Sequence, residues 1–148
     1  MRVVVQRVTR AVVRRVDVEP EVEARIGPGL VLLVGFRTGD DDAASQWMAE
    51  KCLGLRVFAD AAGALDLSVA ERGGALLAVP NFTLYGDARK GRRPSFTEAA
   101  RPEQAAERFA AFVAALRRGP VPVECGFFQA RMQVELVNDG PVTLLLER

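Results

Sequence analysis

The run Leu30-Val31-Leu32-Leu33-Val34 has no polar position, so neither face of a strand built from it can meet water. The chain must therefore supply cover for both sides of a sheet. Ala75-Leu76-Leu77-Ala78-Val79 makes the same demand, and Pro80 ends its ladder. Two helices are legible as cover. One starts at Asp40, Asp41 or Asp42 with an apolar stripe of Ala44, Trp47, Met48, Cys52 and Leu55. The other starts at Pro102, buries Ala105, Phe109, Phe112, Val113 and Leu116, and stops at Gly119-Pro120.

The remaining segments read as strands. Val16, Val18, Val22, Ala24 and Ile26 alternate around Glu19-Pro20-Glu21 as a half-exposed hairpin, and Gly27-Pro28-Gly29 turns the chain. Leu55-Arg56-Val57-Phe58 is a short strand before a turn at Gly63. Val121, Val123, Cys125 and Phe127 alternate, as do Met132, Val134 and Leu136, and Val142 to Leu146 follows the turn residues Asn138-Asp139-Gly140-Pro141. Strand-rich ends around two helices predict an α/β fold of mixed, mostly antiparallel sheets with both main helices on one side. At 148 residues the length fits one domain over 1–148.

Charge and chemistry narrow the function. A net charge of +1 excludes binding nucleic acid by bulk charge, so any such contact is local. The arginines cluster at the start, in Arg2, Arg7, Arg10, Arg14 and Arg15. No apolar run approaches a membrane span, and Met1 to Arg7 lacks the apolar core of a signal peptide, which points to the cytoplasm. Cys52 and Cys125 lack CxxC spacing and read as free thiols. There is no histidine. That removes Ser-His-Asp and Cys-His nucleophile systems and the commonest zinc sites, and no metal or cofactor is expected.

Four places admit a functional reading beside a structural one. Arg7 falls on the same side of its strand as Val3 and Val5, so either the inner face ends before it or partners hold its guanidinium. Asn81-Phe82-Thr83-Leu84-Tyr85 follows a buried strand, and Thr83 is either a strand threonine or a hydroxyl near chemistry. The loop Asp87-Ala88-Arg89-Lys90-Gly91-Arg92-Arg93 is either solvated or a phosphate contact. Asn138 to Pro141 is explained by turn chemistry alone.

Taken in order, Val5-Gln6-Arg7-Val8, Ile26-Gly27-Pro28-Gly29-Leu30, Phe82-Thr83-Leu84-Tyr85, Arg89-Lys90-Gly91 with Arg93-Pro94-Ser95-Phe96, and Asn138-Asp139-Gly140-Pro141-Val142-Thr143 resemble the D-aminoacyl-tRNA deacylase family over essentially the whole chain. The resemblance implies a homodimer with active sites at the subunit interface. Its substrate would be the 3′ end of aminoacylated tRNA, with hydrolysis of the ester to a D-amino acid or to mischarged glycine, and with no membrane or DNA partner. A cis Gly140-Pro141 would reach into the other subunit's site to exclude L-amino acids, with Arg7 as its anchor, beside Phe82 and Thr83 as catalytic residues. Asn81 and Met132 would line the substrate pocket, and Arg89, Lys90, Arg92 and Arg93 would contact tRNA phosphates. The chain departs from the family in Pro80-Asn81 for Ser-Gln, in Leu65-Asp66 for Met-Asn, and in Gln129 and Arg131 within the family's Gly-x-Phe-Gly-Ala-x-Met stretch.

An aminoacyl ester is already activated, so the protein need only deliver water and stabilise an oxyanion, for which backbone N–H groups near Phe82 and Thr83 suffice. Without histidine, the adjacent ribose hydroxyl can orient water, which would restrict the substrate to RNA. Two alternatives stand beside this reading: a catalytically impaired tRNA-end or nucleotide-binding module on the same fold, and an amidohydrolase with Thr83 as nucleophile.

Overall fold

A computed structural model describes residues 1–148. Its centre is β1 (Arg2–Arg15), a strand long enough to serve two partners along one edge and one along the other. Val3, Val5 and Arg7 pair with Val34, Leu32 and Leu30 of β3 (Gly29–Gly35), and Ala11 to Arg15 pair with β2 (Val22–Ile26), all antiparallel. The opposite edge of β1 pairs antiparallel with the C-terminal strand β8 (Met132–Glu147) along its whole length. Beyond β3 the sheet continues in parallel through β6 (Ala75–Pro80) to β7 (Val123–Cys125). A small antiparallel pair, β4 (Phe58–Ala59) and β5 (Leu65–Leu67), stands apart.

The two apolar runs have the double cover that their composition demands. Leu30, Leu32, Leu76 and Ala78 face a core completed by the helices α1 (Asp42–Gly54) and α2 (Pro102–Arg117), while Val31, Leu77 and Val79 face a second core with Val8, Ala11, Val13 and Ile26. Both helices lie on the first side. A bulge in β1 links the two cores. Odd positions Val3 and Val5 face the helices, but beyond the register shift at Val8/Arg10 the odd positions Ala11 and Val13 face the second core.

Several expectations need correction. The turn residues Asn138 to Pro141 do not reverse the chain: both halves of β8 run in one direction along β1, and the residues between Asn138 and Thr143 form an outward excursion. Trp47 is exposed with the Arg148 guanidinium over its ring, because Ser45 and Ala49 occupy the buried face of α1 with Ala44, Met48 and Cys52. Leu55 lies past the end of that helix, and the strand expected over Leu55–Phe58 begins only at Phe58. Phe127 lies beyond β7. Thr83 is not in a strand; Phe82–Tyr85 forms a 3₁₀ turn. Asp41 is the N-cap of α1, accepting from the Ala44 N–H at 2.7 Å. Both thiols are free, and burial pushes the Cys52 thiol up to about 12.

One close approach holds β3 against β6. A Cβ on Gly29 would lie 1.9 Å from the Ala75 carbonyl oxygen, whereas one on Gly27 meets nothing within 4 Å. Gly29→Ala should therefore cost about 3 kcal/mol or more in urea unfolding, and Gly27→Ala within about 0.5 kcal/mol of zero. Equal losses would contradict this pairing.

Candidate active site

The strand β6 ends at Pro80, and the next residues turn outward into the 3₁₀ helix, so Asn81, Phe82 and Thr83 stand at one end of the parallel strands. They line a pocket of about 590 Å³ together with Met132 of β8, the loop residues Phe127, Phe128 and Gln129, Phe96, and the start of α2 at Arg101 and Pro102. Its walls are mostly apolar, and Arg101 is the only charged residue among them. Phe82 is 58% exposed and meets Phe96 edge to face, with ring centroids 5.1 Å apart at the mouth.

The local geometry explains why these groups are available. In the 3₁₀ turn the first internal bond runs from the Leu84 N–H to the Asn81 carbonyl at 3.4 Å, so the N–H groups of Phe82 and Thr83 have no acceptor within the turn. The Thr83 hydroxyl donates to the Asn81 side-chain oxygen. That bond orients Thr83 and leaves its oxygen lone pairs open. No basic group touches the hydroxyl, so the arrangement suits positioning better than nucleophilic attack. Phe127 packs its N–H 3.2 Å from the Met132 sulfur, which fixes the loop forming the far wall.

The 3₁₀ turn is anchored from beneath by Tyr85, which is 2% exposed and lies under the Arg2 guanidinium at 4.6 Å. Arg2 also donates to the Leu84 carbonyl at 3.1 Å. Burial, reinforced by the Asp40 carboxylate, pushes the Tyr85 phenol up to about 12.

Arg7, Gly140 and Pro141 form a second cluster. Arg7 is the odd-numbered residue that follows Val5 on the helix side of β1, and partners do hold its guanidinium. Nη1 donates to the Val57 carbonyl at 2.5 Å, and Nε lies 3.0 Å from Asp139 Oδ2, near enough for an ion pair although the N–H is not aimed at the oxygen. The Asn138 amide donates to the carbonyls of Arg7 and Val142, both at 2.9 Å, and so closes the base of the excursion. Gly140 adopts φ +116°, and a Cβ there would stand 2.8 Å from Arg7 Nη2. The Gly140–Pro141 peptide is cis. Neither Gly140 nor Pro141 lines the pocket of its own chain.

The basic loop is only partly free. Arg89 grips Asp87 through Nε at 2.9 Å and Nη2 at 2.8 Å, and these bonds hold the Asp87 carboxyl down at about 2. Lys90, Arg92 and Arg93 are exposed and carry no ion pair. The sequence offers Phe127 only as a strand residue, and it does not mark Phe96, Phe128 or Arg101 as site residues. Phe96 and Phe128 nevertheless stand inside two of the quoted motif stretches, and Arg101 marks the start of a helix.

Gln129 sits in the left-handed region at φ +53°, on the pocket wall. A glycine at that position would meet no such steric cost. Gln129→Gly should raise stability by about 1 kcal/mol in chemical denaturation; a loss would contradict the strain. Tyr85 is the only tyrosine. Because burial raises its folded pKa, the stability it adds is complete below about pH 10 and falls as pH rises toward about 12. Absorbance at 295 nm should show no phenolate until well above pH 10 in the folded protein, and ionisation near pH 10 would contradict its burial.

A model of the D-Tyr-tRNA(Tyr) deacylase family matches residues 4–147. A protein of Symbiobacterium thermophilum named D-aminoacyl-tRNA deacylase is 56% identical over 147 residues, covering 99% of this chain and 95% of the relative. One of Carboxydothermus hydrogenoformans with the same name is 53% identical, covering 99% of each. Among solved structures, a "c-Myc DNA Unwinding Element Binding Protein" superposes with a TM-score of 0.91 at 38% identity, over 100% of this chain and 99% of its own. A probable eukaryotic D-amino acid tRNA deacylase superposes at 0.83 with 19% identity, over 98% and 97%, a likeness of fold.

Proposed function

The chain belongs to the D-Tyr-tRNA(Tyr) deacylase family, and from that premise we propose that it hydrolyses the ester joining a D-amino acid, or glycine on a non-cognate tRNA, to the tRNA 3′ end in the cytoplasm. The observation that carries this reading is the pocket that Asn81, Phe82, Thr83 and Met132 share, apolar on its walls and furnished with backbone N–H groups at its mouth. Its volume of about 590 Å³ suits a small organic ligand.

The ester carbonyl lies against the Phe82 and Thr83 N–H groups, which take up the charge of the tetrahedral oxyanion. Thr83, held by Asn81, orients the attacking water, and the ribose hydroxyl beside the ester assists it. Phe82 and Phe96 flank the substrate at the mouth. The alcohol leaves as the tRNA ribose, and the amino acid is released as its carboxylate.

Chirality is read by rigid exclusion, since fit alone discriminates by only about 1–3 kcal/mol. Gly140 and Pro141 stand away from their own pocket on the outward excursion of β8, with Arg7 bracing it. In a homodimer of these single-domain chains they enter the partner's pocket, where they block an L side chain. Two features of β8 support that assembly. It pairs only with β1, leaving one long edge unpaired, and Val134, Val137, Leu144 and Leu145 are exposed along it. The loop bearing Arg89, Lys90, Arg92 and Arg93 meets tRNA phosphates, with Asp87 shaping it through Arg89. The 38% identical structure is named for a DNA element. DNA lacks the ribose hydroxyl that the mechanism uses, so an aminoacyl ester on a terminal deoxyribose should be hydrolysed more slowly than one on ribose.

Three outcomes check this function. The protein should hydrolyse D-tyrosyl-tRNA and spare L-tyrosyl-tRNA. Thr83→Ala should lower kcat about 10- to 100-fold with no acyl-enzyme in intact mass spectra; an aminoacyl adduct on wild-type Thr83 would point to nucleophilic catalysis instead. Replacing Arg92 and Arg93 by Gln should raise KM and reduce the log–log salt slope by about one to two. An unchanged slope would return the loop to solvent.

A further inference from the structure

Behind the pocket's far wall lies a second concavity. It occupies about 580 Å³ between α2 and β7, and Phe109, Val113, Gly126 and Phe128 line it with Arg117 and Arg118. Phe128 lines both cavities, and Ala105 of the first is followed on α2 by Ala106 of the second. The two are therefore neighbours across one aromatic ring. Phe128 also lies against Phe109, with centroids 6.5 Å apart.

The charge of this groove is one-sided. Its lining contains two arginines and no acid. Arg117 Nη2 finds only the Val123 carbonyl at 3.5 Å and the Cys125 sulfur at 3.9 Å, and Arg118 bonds the Gln46 amide oxygen. By contrast, Arg108, farther back on the same helix, is paired with Asp42 at 2.9 Å. Aromatic rings on the floor with unpaired cations on the rim are what a single nucleic-acid strand requires, because every base has a face to stack and every linkage carries one charge.

We infer that this groove is a second RNA subsite, taking the nucleotides that precede the terminal adenosine when the aminoacyl end occupies the first pocket. The inference rests on the deacylase reading, since that reading puts an RNA end next to Phe128. From Ala105 to Arg117, α2 runs about 18 Å, room for more than one nucleotide. The preceding base lies on the Phe128 and Phe109 side, and its phosphates meet Arg117 and Arg118. Both arginines also complement the carbonyl end of α2, and that role alone would change stability without changing RNA affinity.

The test compares binding of adenosine with that of the RNA trinucleotide CCA, the single-stranded end common to tRNAs. Wild-type protein should bind CCA at least tenfold more tightly than adenosine. Arg117→Gln with Arg118→Gln, and separately Ala110→Glu at an exposed groove position, should each bring CCA down to the adenosine level. The double variant should also reduce the salt slope of CCA binding by about 1.4, for two linkages. Adenosine affinity should not move, and the KM for D-tyrosyl-tRNA should rise at unchanged kcat. Adenosine binding with no gain from CCA, or variants that weaken both ligands alike, would overturn the subsite alone. A change of oligomeric state in Ala110→Glu would overturn it in favour of a protein interface. Failure to bind adenosine together with failure to hydrolyse D-tyrosyl-tRNA would overturn the deacylase reading and the subsite with it.

Discussion

The Arg7 guanidinium, only 12% exposed, is a charge on the helix side of β1 that must be compensated where it stands. The chain meets that demand from two directions, with the Val57 carbonyl on one side and Asp139 on the other. Asp139 can reach it only because β8 leaves its ladder with β1 between Asn138 and Thr143. The same departure carries Gly140 across Arg7 so closely that a Cβ would collide with the guanidinium. One buried cation thus adjoins the excursion on two sides, and Gly140, whose φ of +116° itself favours glycine, and Pro141 stand outside the pocket of their own chain.

Around that interaction the protein separates holding from reacting. The β3–β6–β7 strands and the two helices make a closely packed frame, and the groups proposed for chemistry sit at its edge, on a short 3₁₀ turn anchored by buried Tyr85. The site contains no histidine and a single cation in its lining. Such a site has little means of activating a difficult bond, but an aminoacyl ester is not one. On the proposed function, rate enhancement would come from orientation and from fixed N–H dipoles, and selectivity from backbone that cannot yield.

Much of this was legible in the sequence, for physical reasons that differ from element to element. Leu30–Val34 and Ala75–Val79 could only be doubly covered strands, and α2 carries its start at Pro102, its apolar stripe and its stop at Gly119 within one segment. Asn138 to Pro141 misled because a strand excursion and a chain reversal use the same residues; only the pairing of Thr143 with Gln6 and of Asn138 with Val8 tells them apart. Trp47 misled because its stripe differs by one residue from the face that Ser45 and Ala49 actually bury. The pocket residues Asn81, Phe82, Thr83 and Met132 were named through the resemblance, whereas Phe96, Phe128 and Arg101 join them only through the fold.

The central claim is that each site is completed by two chains, with the pocket from one and Gly140–Pro141 from the other. Co-expressing a Thr83→Ala chain with a Gly140→Ala chain, and isolating the heterodimer through two different tags, tests it directly. Neither homodimer should hydrolyse D-tyrosyl-tRNA well, the first for want of the Thr83 hydroxyl and the second because a Cβ on residue 140 would crowd the partner's pocket. The heterodimer holds one site made from the wild-type Thr83 of one chain and the wild-type Gly140 of the other, so it should recover about half the wild-type rate per dimer. A heterodimer no more active than its two parents would show that pocket and Gly140–Pro141 act within one chain, and would contradict the account.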